Sequence, residues 1–324
     1  MKVVAILGGL GSQMFKYAFY LALEERASDD CCICTFPFYT MHMWNGYELK
    51  KVFGIDSPDL ADEILKDKEV CETGDYASAI LKILYKKNLN KPVYRMNRGV
   101  LSEWREIDSG GKNNGLVWRW LNKIHGKLKR TIPPKESYID VYPAQYTNLE
   151  GDILFDEFNH TSDIYIKCDT HNLKDVFTFP PFTDKKNIEI STQIHSENSV
   201  ALHVRRSDHM YDNQYLFSSD YFRKAVNLIK SKERNPVFYI FSEESMWCKN
   251  NAALLGLDLS VDNVFFVDWN RGEDSFRDMQ LMTYCKHNIL AISSFSWWGY
   301  YLSERTEKIV CAPQGYWFEV QYHF

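Results

Sequence analysis

Residues 2–27 read "KVVAILGGLGSQMFKYAFYLALEERA", and the order of residue types in this stretch predicts a strand, a glycine-rich loop and a helix. The run from Lys2 to Leu7 is apolar almost throughout, as in a strand that is buried on both faces. From Ser12 onward, apolar residues recur at helical spacing, and Ser12 is a suitable N-cap. A strand followed directly by a helix is the repeating unit of an α/β protein.

The same alternation of strand and helix is more regular toward the C-terminus. Five short apolar runs are separated by helical segments: "SVALHV" at 199–204, "PVFYIFSE" at 236–243, "NVFFVDW" at 263–269, "NILAISS" at 288–294 and "KIVCAP" at 308–313. This pattern predicts a parallel sheet with helices on both faces. In such sheets, ligands bind at the carboxyl ends of the strands, so polar residues that follow a strand are candidate site residues.

The length of the chain allows one large domain or two of ordinary size, and a proline-containing segment indicates where a linker would lie. The chain has 324 residues, and prolines with turn residues in "FTFPPFTD" at 177–184 are typical of a linker. We therefore expect an N-terminal half at 1–180, with the glycine loop and a basic helical insertion, and a C-terminal half at 181–324. The eight cysteines lack the spacing of a disulfide framework or a zinc site, and the first residues lack the features of a signal peptide. These features predict free thiols and a cytoplasmic location.

A basic block interrupts the N-terminal half. Residues 82–135 contain fourteen basic and three acidic residues, although the whole chain has a net charge of −5. Such a block either attracts an anionic partner or forms a solvated face. Its segment 112–135 fits an amphipathic helix, and two interpretations stay open: a surface helix packed on its own domain, which we favour, or a peripheral contact with the inner membrane.

The first candidate site is "HVRRSD" at 203–208, which follows a predicted strand. Alternation along the strand places His203 and Arg205 on one side and Arg206 on the other. A guanidinium group suits a diphosphate because its charge is permanent and its N–H groups pair with two oxygens. The alternative is that one arginine pairs with Asp208 and the other is solvated.

Two further candidates follow in the C-terminal half. In "AISSFSWWG" at 291–299, a helix that begins after Ser293 and Ser294 offers N–H groups and hydroxyls to an anion. The alternative is that Ser294 only caps the helix and the tryptophans are core. In "RGEDSFRDMQLMTYC" at 271–285, Asp274 and Asp278 lie on one helical face, where a carboxylate either accepts hydrogen bonds from guanine or is a solvated cap.

Absent motifs exclude several classes of nucleotide site. The chain has no GxxxxGK[ST] motif, no Asp-x-Asp metal clamp and no third glycine for GxGxxG. These absences argue against a P-loop enzyme, a metal-dependent sugar transferase and an NAD-dependent oxidoreductase.

With these motifs assembled, the chain resembles the bacterial inverting α-1,2-fucosyltransferases of glycosyltransferase family 11. The resemblance is carried by "GGLGSQMFKYAFYLAL" at 8–23, "NGYELKKVFGI" at 45–55, "HVRRSD" at 203–208, "FYIFSEESMWCKNN" at 238–251 and "GEDSFRDMQLMTYCKHNILAISSFSWWGYYL" at 272–302. It implies a GT-B-like α/β fold, with two Rossmann-like halves facing across a cleft. The N-terminal half, 1–180, would be the acceptor side, and the C-terminal half, 181–324, would bind the GDP-sugar donor.

The resemblance also implies the reaction. The donor would be GDP-β-L-fucose, the acceptor a galactose-terminated oligosaccharide or lipid-linked glycan, and the product an α-1,2 linkage in a surface polysaccharide or O-antigen. No metal, cofactor or nucleic acid is implied. Arg205 would contact the diphosphate, Asp278 the guanine, and His203 would orient this region. The expected donor-site residues are Gly11, Ser12, Gln13, Arg205, Arg206, Asp278, Ser293, Ser294, Phe295, Ser296 and Trp297.

A general base should take the proton of the acceptor hydroxyl. Asp208 is the first candidate, with Glu273 and Asp274 as alternatives. Two features depart from the family pattern: Ser12 stands where the family has Asn, and 165–177 lacks the family's Tyr-x-Gln-Ser segment. These departures leave open a second function, in which the protein binds a nucleotide sugar but has lost transfer activity.

Overall fold

The computed structural model describes residues 1–97, 100–104, 149–156, 170–206, 217, 220–314 and 320–324. The chain forms two compact units, which we call unit 1 and unit 2. Unit 1 comprises Met1–Ile6, Ala22–Thr40 and Ser57–Asn159, and unit 2 comprises Leu7–Leu21, Met41–Asp56 and His160–Phe324. Unit 2 thus takes residues from both sides of residue 180, and the predicted domain boundary there stays a prediction.

Unit 1 is built on a five-stranded sheet. Its strands are β1 (Lys2–Ala5), β2 (Cys31–Cys34), β3 (Val93–Asn97), β4 (Val100–Trp104) and β5 (Asp152–Phe155). The spatial order is β2-β1-β5-β3-β4, with parallel pairing except between β3 and β4. The predicted first strand is therefore present, and it lies buried within the sheet.

Unit 2 is built on a six-stranded sheet in which every pairing is parallel. Its strands are β6 (Ser199–His203), β7 (Val237–Phe241), β8 (Asn263–Val267), β9 (His287–Ile289), β10 (Val310–Ala312) and β11 (Tyr322–His323). Their spatial order is β11-β10-β9-β6-β7-β8, which is the doubly wound order of the Rossmann fold. The predictions of an α/β protein with two sheet-containing halves and of a Rossmann-like C-terminal half are confirmed.

The helices connect and cover these strands. In chain order they are α1 (Leu10–Glu24), α2 (Pro37–Thr40), α3 (Leu49–Phe53), α4 (Ala61–Lys66), α5 (Lys68–Cys71), α6 (Tyr76–Lys87), α7 (Leu173–Val176), α8 (Lys185–Ser196), α9 (Tyr221–Lys232), α10 (Ser245–Asn250), α11 (Phe276–Tyr284) and α12 (Ser294–Tyr301). Within the described residues, no helix has the length and apolar content to cross a bilayer.

The two faces of the unit 2 sheet bury alternate residues of β6. Val200, Leu202 and Val204 join a core with residues of α9, whereas Ala201 joins a second core with Tyr239 and residues of α11. This alternation continues past the end of the strand, and it sends Arg205 and Arg206 to opposite sides, as the sequence predicts.

Helix α1 begins three residues earlier than an N-cap at Ser12 predicts. Leu10 is its first residue, so Ser12 lies in the first turn and is not the N-cap. The backbone N–H groups of Ser12 and Gln13 donate to the carbonyl of Gly9, at 2.9 and 3.0 Å. Gly8 has a φ of +90°, which a residue with a side chain rarely adopts. The glycine loop therefore continues directly into the helix.

The described part of the basic block is matched by acidic residues of unit 1. Lys82, Lys86 and Lys87 of α6 form ion pairs with carboxylates of α4, α5 and the residue between them, at 2.7–2.9 Å. Arg95 of β3 pairs with the buried carboxylate of Asp156. Residues 112–135, with the predicted amphipathic segment, lie outside the described residues. Seven cysteines fall within the described residues, and all seven are free thiols, as predicted.

Candidate functional site

A pocket with a volume of about 560 Å³ lies in unit 2, at the carboxyl ends of its central strands. The lining residues follow β6, β7, β8 and β9 or come from the start of α1 and the segment before α3. Strands β6 and β9 are neighbours in the sheet, although their connections run in opposite directions, so this is the topological switch point where doubly wound sheets bind ligands. The volume is within the range of small-molecule sites.

The pocket has two walls of different origin in the chain. The C-terminal wall includes His203, Arg205, Glu243, Arg271, Asp278, Ser293, Ser294 and Phe295, and the N-terminal wall is formed by Gly9, Leu10, Gly11, Ser12, Trp44, Asn45 and Glu48. Both walls belong to unit 2.

Arg205 and Ser293 form the centre of the C-terminal wall. One guanidinium nitrogen of Arg205 donates to the hydroxyl oxygen of Ser293, at 3.1 Å. The same oxygen accepts a hydrogen bond from the backbone N–H of Phe295, at 3.2 Å, so Ser293 is the N-cap of α12. A permanent positive charge thus lies beside the N-terminus of a helix, and both features favour a bound anion.

Arg206 lies on the other side of the strand end and does not line the pocket. Its guanidinium group pairs with Glu244 at 2.6 Å and stacks over the ring of Trp247 at 3.9 Å. Its backbone N–H donates to the carboxylate of Glu243, at 2.9 Å. These contacts give Arg206 a structural role at the surface of the β7–α10 connection.

Asp278 lines the pocket from the first turn of α11. Its carboxylate accepts a hydrogen bond from the side-chain amide of Asn270, at 2.8 Å, and Asn270 is joined in turn to the buried amide of Asn187. Burial raises the pKa of Asp278 to about 7, against the effect of the Asn270 hydrogen bond. The carboxylate is thus held in one orientation and is only partly ionised near neutral pH.

Gly11 brings the N-terminal wall against the start of α12. A Cβ atom on Gly11 would lie 2.7 Å from the backbone nitrogen of Phe295 and 2.8 Å from the carbonyl carbon of Ser294. The indole N–H of Trp298 donates to the Gly11 carbonyl at 3.0 Å. Only glycine allows so close an approach of two backbones.

Gln13 holds the segments of the N-terminal wall together. It is fully buried, and its amide nitrogen donates to the carbonyls of Gly8 and Gly46, at 2.9 and 2.8 Å. Its amide oxygen accepts from the backbone N–H of Glu48, at 2.9 Å. The glycine loop and the segment before α3 are therefore held in a fixed arrangement.

Glu48 is a buried carboxylate in this wall, with 3% of its surface exposed. Asn45 donates to one of its oxygens at 3.2 Å, and the backbone N–H of Leu10 also donates to the carboxylate. Burial raises the pKa of Glu48 above its ordinary value, although the Asn45 hydrogen bond and nearby Lys51 oppose this rise. The N-terminal wall thus contributes a buried carboxylate to the pocket, in addition to Asp278 of the C-terminal wall.

Similarity to known proteins shows the family to which this chain belongs. Residues 172–317 match the model of glycosyltransferase family 11. The O-antigen biosynthesis glycosyltransferase WbnK of Escherichia coli is 33% identical over 95% of this chain and 92% of its own length. The chain belongs to glycosyltransferase family 11.

Two further relatives are named for the sugar that they transfer. The α-1,2-colitosyltransferase of Escherichia coli is 26% identical over 98% of this chain and 92% of its own length. The galactoside α-(1,2)-fucosyltransferase 1 of Leontocebus fuscicollis is 30% identical over a shorter region, 32% of this chain and 28% of its own.

Most residues that sequence reasoning assigned to the family 11 donor site lie together. The pocket lining contains Gly11, Ser12, His203, Arg205, Asp278, Ser293, Ser294 and Phe295. Gln13, Arg206, Ser296 and Trp297 are not part of the lining. Ser296 and Trp297 are buried in α12, and Trp297 contacts the ring of Phe15, with ring centres 4.9 Å apart.

The three predicted bases of this family 11 chain lie in different surroundings. Asp208 lies outside the described residues. Glu273 and Asp274 are exposed and do not line the pocket, and Glu273 pairs with Lys51 at 2.6 Å. Sequence reasoning missed Trp44, Asn45 and Glu48. Two of them lie in the quoted segment "NGYELKKVFGI", but nothing in the sequence shows that Gln13 holds this segment against the pocket.

No group of three or more His, Cys, Asp or Glu side chains with the geometry of a metal site occurs in the described ranges of the chain. The metal independence that the resemblance implies stays a prediction.

Proposed function

We propose that this family 11 enzyme transfers L-fucose from GDP-β-L-fucose to the 2-hydroxyl of a terminal β-galactoside, with inversion and without a metal ion. The product would be an α-1,2-linked fucosyl unit of a surface polysaccharide or O-antigen. Family membership supports sugar transfer. The names of three relatives support the α-1,2 linkage, a galactoside acceptor and O-antigen synthesis.

The observation that carries the proposal is the position of Arg205 beside the N-terminus of α12 at the switch point of a Rossmann sheet. When the bond between fucose and the β-phosphate breaks, negative charge develops on the departing diphosphate. A fixed guanidinium, the N–H groups that begin α12 and the hydroxyls of Ser293 and Ser294 stabilise that charge without reorganisation. This position supports the contact with the diphosphate that the resemblance implies for Arg205.

The guanine would bind at Asp278. An ionised carboxylate accepts two hydrogen bonds from the N1–H and amino groups of guanine, and adenine lacks this pair of donors. The Asn270 and Asn187 amides hold the carboxylate in a single orientation, which favours one nucleotide base over another.

The test is a product analysis. GDP-fucose is incubated with a panel of β-galactosides and related glycans, GDP release is followed, and the products are identified by mass spectrometry and linkage analysis. We expect GDP release that depends on the galactoside, an α-1,2 product, and unchanged turnover in the presence of EDTA. Loss of turnover with EDTA would contradict metal independence.

The same assay separates two alternatives. A nucleotide-sugar-binding protein without transfer would be stabilised by GDP-fucose against heat but would release no GDP with any acceptor. A colitosyltransferase, as in one relative, would prefer a donor whose sugar lacks the 3-hydroxyl of fucose. A ratio of kcat/KM above one for the colitosyl donor over GDP-fucose would overturn the choice of fucose.

The proposal also includes the cellular location of the reaction. A lipid-linked acceptor would bring the enzyme to the inner face of the membrane through residues 112–135. Replacement of Lys123, Lys127, Lys129 and Arg130 by Gln should then weaken co-sedimentation with anionic vesicles, and unchanged co-sedimentation would contradict this part.

A further inference from the structure

The N-terminal wall carries chemistry that a nucleotide diphosphate does not need. It contains a buried carboxylate, Glu48, and an exposed indole, Trp44, within five residues of each other. A carboxylate repels a diphosphate, but it suits a hydroxyl group that must lose its proton.

We propose that, in the N-terminal wall of the pocket, Glu48 takes the proton of the attacking hydroxyl and Trp44 provides a stacking surface for the acceptor sugar. This inference rests on the proposed transfer to a galactoside and names the base and the acceptor surface of the same pocket.

The other carboxylates of the pocket are less suited to the role of base. Besides Glu48, the described lining includes Glu243 and Asp278. Glu243 is exposed, and its carboxylate accepts the backbone N–H of Arg206. Asp278 lies in the C-terminal wall, where Asn270 holds it toward the expected guanine position.

The surroundings of Glu48 leave it able to accept a proton. A carboxylate has about four acceptor positions, and the donors Asn45 and Leu10 occupy two of them. Asn45 also donates to Ser275 at 2.9 Å, and Gln13 anchors the Glu48 backbone, so the carboxylate is fixed on both sides. The raised pKa of Glu48 makes it a stronger base than an exposed glutamate.

The proton transfer conserves atoms and charge. The acceptor O–H bond breaks and its proton passes to the Glu48 carboxylate. The oxygen's electron pair forms the bond to C1 of fucose, and the bond from C1 to the β-phosphate oxygen breaks, so that its electron pair leaves with GDP. Glu48 then returns the proton to solvent.

Trp44 is independent evidence for a sugar surface. Its exposed fraction is 63%, which is high for a tryptophan, and its φ is +41°, in the left-handed region that a bulky residue rarely adopts. Its ring lies close to the glycine loop, 3.5 Å from the position a Cβ would occupy on Gly9. An exposed aromatic residue that is held in strained backbone at a pocket indicates a functional contact, and a flat indole fits the apolar face of a galactose ring.

The experiment compares Glu48→Gln with Glu197→Gln, a carboxylate of unit 2 that accepts the Tyr239 hydroxyl away from the pocket. Glutamine keeps an acceptor oxygen for Asn45 and Leu10 but cannot take the proton. We expect kcat of Glu48→Gln to fall by about 10²–10⁴-fold, with the GDP-fucose Kd within threefold of wild type, and kcat of Glu197→Gln to stay within threefold.

Several outcomes overturn the role of Glu48. A Glu48→Gln enzyme with the kcat of wild type would contradict this role. A variant that loses GDP-fucose affinity by the same factor as kcat would contradict it too, because Glu48 would then only accept the Leu10 N–H at the start of α1. If Glu48→Gln does not fold, Glu48→Asp replaces it. The acidic limb of the pH profile of kcat should shift in Glu48→Asp. An unshifted limb together with a wild-type kcat would contradict the role of Glu48 as the base. A wild-type enzyme without turnover contradicts the proposed function instead.

Trp44→Asn tests the acceptor surface, because asparagine tolerates positive φ. We expect about a tenfold higher KM for the galactoside, an unchanged GDP-fucose Kd and a melting temperature that does not fall. Met246→Ala, which removes a similarly exposed side chain from outside the pocket lining, is the control. An unchanged acceptor KM in Trp44→Asn would overturn the stacking role.

Discussion

Whereas the C-terminal wall of the pocket presents an arginine, hydroxyls and the N–H groups that begin α12, the N-terminal wall presents an indole, an amide and a buried carboxylate. The first set donates hydrogen bonds and carries positive charge. In the second set, the Glu48 carboxylate accepts hydrogen bonds and carries negative charge when ionised, and the Asn45 amide donates to it. These opposite properties match the two reacting groups: positive charge stabilises the departing diphosphate, and a carboxylate can take the proton of the attacking hydroxyl.

The two walls are also built differently. The C-terminal wall follows from the sheet, because the ends of β6 and β9 are adjacent and each carries its polar residues past the strand end. The N-terminal wall depends on side-chain contacts, since Gln13 joins the glycine loop to the segment before α3. The arrangement of the N-terminal wall therefore depends on the buried amide of Gln13.

The largest effect should come from removing the cation of the C-terminal wall. Arg205→Ala is expected to lower kcat by about 10²–10³-fold, because the developing charge on the diphosphate loses a fixed donor. GDP release from GDP-fucose with a galactoside acceptor measures it. Arg206→Ala is the matched control, since its ion pair with Glu244 and its stacking on Trp247 lie outside the pocket lining.

Arg206→Ala should lower the melting temperature slightly, by the loss of an ion pair worth about 1 kcal/mol or less, and should change kcat by less than tenfold. Equal losses of activity in the two variants would contradict the separation of the adjacent arginines.

A second change breaks the contact between the walls. Gly11→Ala would place a Cβ 2.7 Å from the Phe295 nitrogen, so backbone must move. We expect a loss of about 1–3 kcal/mol in the free energy of unfolding, together with weaker GDP-fucose binding, measured by denaturant titration and calorimetry.

Gly9→Ala is the control for this change, because its Cβ would meet Trp44 at 3.5 Å, an ordinary contact distance. A loss of stability in Gly9→Ala as large as that in Gly11→Ala would show that helix entry, and not contact with α12, makes Gly11 important.

The C-terminal wall can be predicted from sequence and the N-terminal wall cannot. Period-two alternation along β6 is enough to separate Arg205 from Arg206, and the strand–helix order is enough to put Ser293 and Ser294 at a sheet edge. By contrast, "GGLGSQ" suggests that Gln13 contacts a ligand, but the amide is fully buried in bonds to Gly8, Gly46 and Glu48. Residues 41–48 have no periodicity, so only the folded chain shows that they reach the pocket.

The helix that follows β9 shows the same limit at smaller scale. The sequence allows Ser294 as the cap and the two tryptophans as either core or ligand contacts. In the structure Ser293 is the cap, and Trp297 and Trp298 are buried against Phe15 of α1. Helical periodicity cannot show whether a buried side chain packs against residues that are close in the sequence or against a helix nearly three hundred residues away.

The smallest effect is a pH dependence of donor binding that Asp278 should cause. With a pKa of about 7 in the free pocket, its carboxylate is protonated as the pH falls, and a protonated acid no longer accepts both guanine donors. Binding then weakens by about tenfold between pH 8 and pH 6, since the bound form requires the ionised group. GDP-fucose is the suitable probe because its esterified diphosphate does not titrate in this range. In Asp278→Asn the affinity should be lower and nearly independent of pH. If calorimetry shows that the variant keeps the wild-type slope, the titrating group is not Asp278, and the guanine contact of Asp278 is contradicted.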